Sequence, residues 1–169
     1  KEVIFKVENL RTWFPITKGA FKKVVGYVKA VDDVCLEVYR GETLGIVGES
    51  GCGKSTLGKT MMMLEKATGG QVLFNYGGEF RDITKFDAKE MFDFRKKVQM
   101  VFQDPYSALN PQKKIYTSFE EPLKVHGVSS EAEREAIMQR VLKMVNIQPD
   151  YLMRYPHEFS GGQRQRLCI

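Results

Sequence analysis

The chain has 169 residues, of which 43% are hydrophobic and 28% charged. That is an ordinary globular composition for one domain with room for an inserted subdomain. The net charge of +5 is spread among 21 acidic residues, which reads as a solvated surface attracted to an anionic nucleotide or membrane surface rather than as a nucleic-acid stripe. No apolar run approaches the length that crosses a bilayer, and Lys1 to Phe5 enters a strand-like alternation instead of a secretory leader. Cys35, Cys52 and Cys168 stand far apart with no metal-ligand spacing, which suits a reducing compartment.

Val3, Phe5 and Val7 alternate with polar residues and predict a first strand, ended by Asn9-Leu10 and Trp13-Phe14-Pro15. Residues 15–26, with Pro15, Gly19, Gly26 and several lysines, predict an exposed hairpin or loop. Tyr27 to Tyr39 is Val-rich and alternates again. The apolar run 43–47 predicts a buried strand, and residues 54–64 predict a helix in which Met61, Met62 and Met63 serve packing. Residues 71–74 predict another strand. Residues 87–97 predict a helix with Met91, Phe92 and Phe94 toward the core, followed by a short strand at 98–102. Beyond Gln103 prolines punctuate loops, and no further strand is expected. Ser130 to Val145 is the clearest helix: Ser130 with Glu133 forms a capping-box pattern, and Ile137, Val141, Leu142 and Val145 recur at helical spacing.

Gly48-Glu49-Ser50-Gly51-Cys52-Gly53-Lys54-Ser55 matches G-x-x-x-x-G-K-[ST]. Phosphate oxygens are small and dense in charge, so main-chain N–H groups surround them only where side chains stay clear. Gly48, Gly51 and Gly53 allow that approach, at the start of a helix whose dipole favours anions. Lys54 supplies a mobile cation for the β- and γ-phosphates, Ser55 a hydroxyl for Mg²⁺, and Thr56 a further hydroxyl near the α-phosphate. Cys52 reads as a small space-filler. By composition, a chain of this length matches the pattern by chance in well under about 1% of cases.

Near the end, Phe159-Ser160-Gly161-Gly162-Gln163-Arg164-Gln165-Arg166 resembles LSGGQ, the signature of ATP-binding cassette (ABC) ATPases, with Phe in the first place. Val98 to Pro111, including Gln103 and Leu109-Asn110-Pro111, resembles their Q-loop region in the form typical of oligopeptide and dipeptide importers and their nickel-importing relatives. So do Lys29 to Val34 and Arg154 to Arg166. The resemblance covers nearly the whole chain. It implies an α/β P-loop NTPase (RecA-like) core, with an N-terminal antiparallel β subdomain and an inserted α-helical subdomain. Residues 1–103 and 161–169 would form the nucleotide-binding core, and 104–160 the helical subdomain.

The resemblance also implies roles. ATP and Mg²⁺ would be held by residues 48–56, with Ser55 and Gln103 at the metal and Lys54 and Gln103 acting in catalysis. Ser160, Gly161, Gly162 and Gln163 would close on ATP held by a second ABC ATPase subunit in a head-to-tail dimer. Phe14 falls where the family places its adenine-stacking aromatic, with Trp13 and Tyr27 as competitors. Two transmembrane permease subunits, and through them a peptide-binding receptor, would be the partners at the cytoplasmic face of the membrane; no nucleic acid is expected. His157 is expected to be structural. The chain lacks the Walker B carboxylates and the switch histidine of the family, so it is expected to be a fragment truncated before the Walker B strand and inactive alone. The alternatives are a non-transport ABC ATPase acting on DNA or ribosomes, and a fragment that only binds nucleotide.

Overall fold

The structure is a computed structural model that describes the whole chain except the side chains of Pro105 and Tyr106. The sequence-based loop contributions of those two side chains therefore lie outside the described residues. The chain divides into two compact units, Lys1–Gln99 and Met100–Ile169.

The first unit is built on one antiparallel sheet. Its strands are β1 (Val3–Lys18), β2 (Lys23–Tyr39), β3 (Gly69–Tyr76) and β4 (Glu79–Asp82), in the order β2-β1-β3-β4. β1 does not stop at Asn9 or Pro15 as expected. It bulges at Asn9, which takes a left-handed φ of 48°, and pairing shifts from Val7↔Leu36 to Leu10↔Val34. Asparagine tolerates that conformation better than most residues. The neighbouring strand must accommodate it: a Cβ on Gly70 would stand 2.2 Å from the Asn9 carbonyl oxygen. Pairing of β1 with β3 ends at Arg11↔Gly69, while β1 and β2 stay paired as far as Lys18↔Lys23. The predicted loop at 15–26 is thus the far end of a two-stranded ribbon.

The core beneath this sheet is aromatic. Phe5, Phe74 and Phe94 meet with ring centroids 4.9, 5.4 and 6.2 Å apart, in tilted and edge-on geometries that favour ring pairs. Phe94 comes from α2 (Ala88–Lys97), whose start is fixed by a reciprocal capping box. The Glu90 N–H donates to Asp87 at 2.8 Å, and the Asp87 N–H donates to the Glu90 carboxylate at 3.0 Å. Phe94 is fully buried and Met91 packs against the core, but Phe92 is exposed.

Helix α1 (Lys54–Met61) lays Leu57 on the same core, with Met61 and Met63 beside it as expected. It is also tied to β1 by a buried hydroxyl pair, Thr12 Oγ1 to Thr60 Oγ1 at 2.9 Å. Thr60 gives its own proton to the Thr56 carbonyl, so Thr12 is the donor to Thr60.

Two expected strands do not form. Residues 43–47 and 98–102 carry no strand assignment, and Leu44, Ile46, Val47, Val101 and Phe102 are exposed. An apolar run becomes a strand only where a neighbouring backbone completes its ladder, and among the described residues neither segment has one.

The second unit is helical, with α3 (Pro105–Ala108), α4 (Ile115–Val125), α5 (Glu131–Met144) and α6 (Gly161–Leu167). Ser130 caps α5, accepting from the Glu133 N–H at 3.4 Å. Of the expected apolar positions of α5, Leu142 is buried and Val145 packs against the core, whereas Ile137 is half-buried and Val141 exposed; Arg134 and Met138 complete the buried face. The Arg134 guanidinium donates to Glu120 of α4 at 3.0 and 3.2 Å and to the Val128 and Ser129 carbonyls. A buried charge is tolerated when it is fully partnered. Leu167 of α6 joins Leu109, Ile115 and Leu142 in this core. Residues 161–169 lie in this second compact unit, which begins at Met100. His157 stacks on Tyr155 with centroids 5.6 Å apart, a structural role.

The Lys124 ammonium, with Arg134 behind it and burial opposing, holds the Glu120 carboxyl below the ordinary glutamate range. Its stabilising effect is complete above the unfolded value of about 4.3 and is lost as pH falls through the lowered folded value. Urea midpoints of the wild-type chain and Glu120→Gln should therefore differ at neutral pH and converge in acid. A gap that ignores pH would refute this role.

Candidate nucleotide-binding site

The glycine-rich segment 48–53 leads directly into α1, as the sequence motif requires. Gly51 and Gly53 have φ of 82° and 95°, in the left-handed region that other residues avoid. Gly53 also lies hard against β2: a Cβ there would sit 2.0 Å from the Ala30 carbonyl oxygen. The Leu57 N–H reaches the Gly53 carbonyl at 2.8 Å, so the helix begins at once. Gly53 offers no side chain to cap it and the first turn holds no acidic residue. The leading N–H groups of α1 are thus not neutralised by a local carboxylate, and an anion is favoured there.

Lys54 folds back over the loop. Its ammonium donates to the Gly48 carbonyl at 2.8 Å and the Glu49 carbonyl at 2.6 Å. No carboxylate takes part in these contacts, so the cation's charge is not cancelled. Cys52 is exposed, its sulfur 3.6 Å from the Lys54 ammonium and 2.7 Å from where a Cβ on Gly48 would stand. The Cys52 N–H closes a turn onto the Glu49 carbonyl at 3.3 Å. Glu49, Ser50 and Ser55 are exposed, and Thr56 is half-buried.

Beside the loop opens a cleft of about 370 Å³ between β2 and α1, walled by Lys29, Ala30 and Asp32 on one side and by Val47, Gly53 and Lys54 on the other. Phe14 pairs with Val28, the residue before Lys29, and is 39% exposed. Its competitor Trp13 is engaged: its indole N–H donates to Asp32 at 3.0 Å and the Lys29 ammonium lies 4.2 Å from its ring. Tyr27 is exposed and 6.1 Å from Trp13. The contribution of Ala30 is invisible to sequence reasoning, because a main-chain carbonyl has no residue signature.

In the second unit, Ser160 caps α6 through another reciprocal box. The Gln163 N–H donates to Ser160 Oγ at 3.3 Å, and the Ser160 N–H donates to Gln163 Oε1 at 3.0 Å. Phe159 is buried and edge-on to Tyr151, and its carbonyl accepts from the Arg164 side chain at 3.2 Å. Ser160, Gly161 and Gly162 are left exposed on this anchored turn. Gln103 lies at an exposed bend in the same unit.

The sequence matches the family model for ABC transporter over residues 31–169. The chain belongs to the ABC transporter family. It is 46% identical, along its whole length, to the oligopeptide transport ATP-binding protein AppF of Bacillus subtilis. It is 41% identical over 168 residues to the glutathione import ATP-binding protein GsiA of Escherichia coli K12. The chain spans 50% of the first and 26% of the second. Solved ABC cassettes share the fold. The dimeric cassette MJ0796 bound to ADP and Pi superposes with a TM-score of 0.75 at 28% identity, over 98% of this chain and 67% of that one. CbiO1 of Clostridium perfringens, part of the transporter complex cbiONQ, superposes with a TM-score of 0.71 at 25% identity, over the whole chain and 60% of its own. The chain is thus an ABC cassette of the P-loop NTPase fold, with an antiparallel β subdomain and a helical subdomain.

Proposed function

We propose that the chain is the nucleotide-binding part of an importer subunit that couples ATP binding and hydrolysis to uptake of oligopeptides or dipeptides. The observation that carries this reading is the loop 48–54, with two left-handed glycines and a lysine held by two carbonyls and a thiol rather than by a carboxylate, opening an uncapped helix beside a cleft. Residues 48–56 bind the ATP phosphates, Ser55 takes Mg²⁺, and the ring of Phe14 stacks on adenine at the edge of the cleft. Serine hydroxyls suit Mg²⁺, a hard cation that prefers oxygen ligands. We assign Gln103, by its resemblance to the Q-loop glutamine, to sensing Mg²⁺ and the γ-phosphate in the whole protein. Ser160, Gly161, Gly162 and Gln163 act in trans on ATP held by a second ABC subunit.

By name AppF is an oligopeptide transport and GsiA a glutathione import ATP-binding protein, which supports a peripheral place at the cytoplasmic face of the membrane with two permease subunits and an indirect link to a peptide receptor. None of the described helices is long and apolar enough to cross a membrane. Titration of the 169-residue chain with a fluorescent ATP analogue tests the central claim. Saturable binding, strengthened by Mg²⁺ and displaced by ATP, is expected; no displaceable binding by a folded chain would sink it. For the whole protein, co-purification with two membrane subunits is expected. ATPase activity stimulated by nucleic acid would instead favour a non-transport role.

A further inference from the structure

The β1–β2 ribbon continues past the last pairing with β3, at Arg11↔Gly69, to Lys18↔Lys23. Six or so residues per strand beyond that point extend roughly 20 Å at the usual rise. The ribbon is unusual in two respects. Between Glu8 and Asp32 the chain carries Arg11, Lys18, Lys22, Lys23 and Lys29 and no acidic residue. Its far half is also apolar and exposed: Phe21 at the turn is 98% exposed, Val25 56%, and Ile16 and Val24 46% each. Arg11 and Lys29 are paired with Asp33 and Asp32. Among the described residues, Lys18, Lys22 and Lys23 take part in no ion pair.

A fully exposed aromatic between lysines, on an apolar strip of one charge sign, fits a specific environment. Singly exposed apolar residues are normal on proteins, but a contiguous apolar patch marks an interaction surface. We propose that the tip of this ribbon docks on an anionic lipid bilayer. Phe21 enters the headgroup boundary, and Lys18, Lys22 and Lys23 remain at the phosphates on their flexible stems. Charge complementarity decides the occupant, because every charge at the tip is positive and the anionic leaflet surface attracts basic residues within a Debye length. A fluid headgroup layer also needs no shape-matched contour, and a slender two-stranded tip presents none. This inference stands apart from the nucleotide site, because the tip residues lie outside the loop and its cleft.

The test is co-sedimentation of the chain with vesicles of equimolar phosphatidylglycerol and phosphatidylcholine, against vesicles of phosphatidylcholine alone. Binding is expected only to the anionic vesicles and should be released by high salt. Each lysine beside an anionic surface strengthens association roughly fivefold, so Lys18→Glu with Lys23→Glu should weaken it at least about tenfold. Phe21→Ser should weaken it further without altering the salt dependence. Far-UV circular dichroism and ATP-analogue titration of the same variants should match wild type, which separates this docking from folding and from the nucleotide site. Failure of the folded wild-type chain to bind anionic vesicles, or binding that the tip variants leave unchanged, overturns the proposal. So does retention on an immobilised polyglutamate matrix without vesicle binding, which would put an acidic protein in place of the bilayer.

Discussion

Lys54→Ala is expected to raise the Kd for Mg-ATP about a hundredfold while leaving the fold intact. The ammonium in this loop is held by the Gly48 and Glu49 carbonyls and the Cys52 sulfur, and its charge is uncancelled by any acid in those contacts. A hydrogen bond to a charged group contributes about 1.5–3 kcal/mol, and a polyphosphate offers the lysine at least one such bond plus an unscreened attraction. A loss of about 3 kcal/mol corresponds to roughly two decades in affinity. Stability should change far less, because the carbonyls released by the truncation lie in an exposed loop and water replaces the ammonium. Lys54→Arg keeps the charge but has a planar head too large for the carbonyl pair, and should restore only part of the affinity. Analogue titration of the three proteins decides the matter. An alanine variant within about threefold of wild type would remove Lys54 from the site, since that corresponds to less than about 1 kcal/mol.

Gly53→Ala is expected to cost about 3 kcal/mol of stability and to abolish nucleotide binding. Two independent penalties meet at this residue. Its φ of 95° lies where a side chain strains the backbone, a cost of about 1–3 kcal/mol. The new methyl would also stand 2.0 Å from the Ala30 carbonyl oxygen, so β2 or the loop must move. Neither can yield easily: Val31, next to Ala30, is buried in the core, as is Leu57 of α1. Gly58→Ala provides the contrast. That glycine is inside α1, and a Cβ there meets nothing within 4 Å. Alanine is about 1 kcal/mol better than glycine in a helix, so this second variant should be neutral or stabilising. Urea unfolding followed by circular dichroism should put the Gly53→Ala midpoint well below wild type and the Gly58→Ala midpoint at or above it. Equal midpoints for both would show that the contact with Ala30 does not constrain the loop.

The parts of the fold that were legible from the residues are those where chemistry is local. The helix over residues 87–97, the Ser130 cap, the glycine-rich turn into α1 and the start of α6 depend on residue types within a few positions of one another, and each is in place. The misses have a common physical origin in partners distant along the chain. Residues 43–47 and 98–102 have the composition of strands, but a ladder needs a second backbone that local pattern cannot supply. The reach of β1 through Pro15 depended on β2 and on the bulge at Asn9, which Gly70 alone makes room for. On α5, hydrophobic periodicity named Leu142 and Val145 correctly but not Arg134, which is buried because it finds Glu120 on another helix. Within the site, the motif foretold the loop, but only the structure shows that Ala30 supports it from β2 and that Lys29 and Asp32 form the opposite wall.

The chain contains one indole, and the fold has placed it where it is optically useful. Trp13 lies under the Lys29 ammonium and is tethered to Asp32, two side chains that also wall the cleft beside the loop. A ligand that draws Lys29 or Asp32 toward itself changes the electric field across that ring, and its emission shifts with the field. The protein thus carries its own dye, readable without labels and reporting from the edge of the pocket.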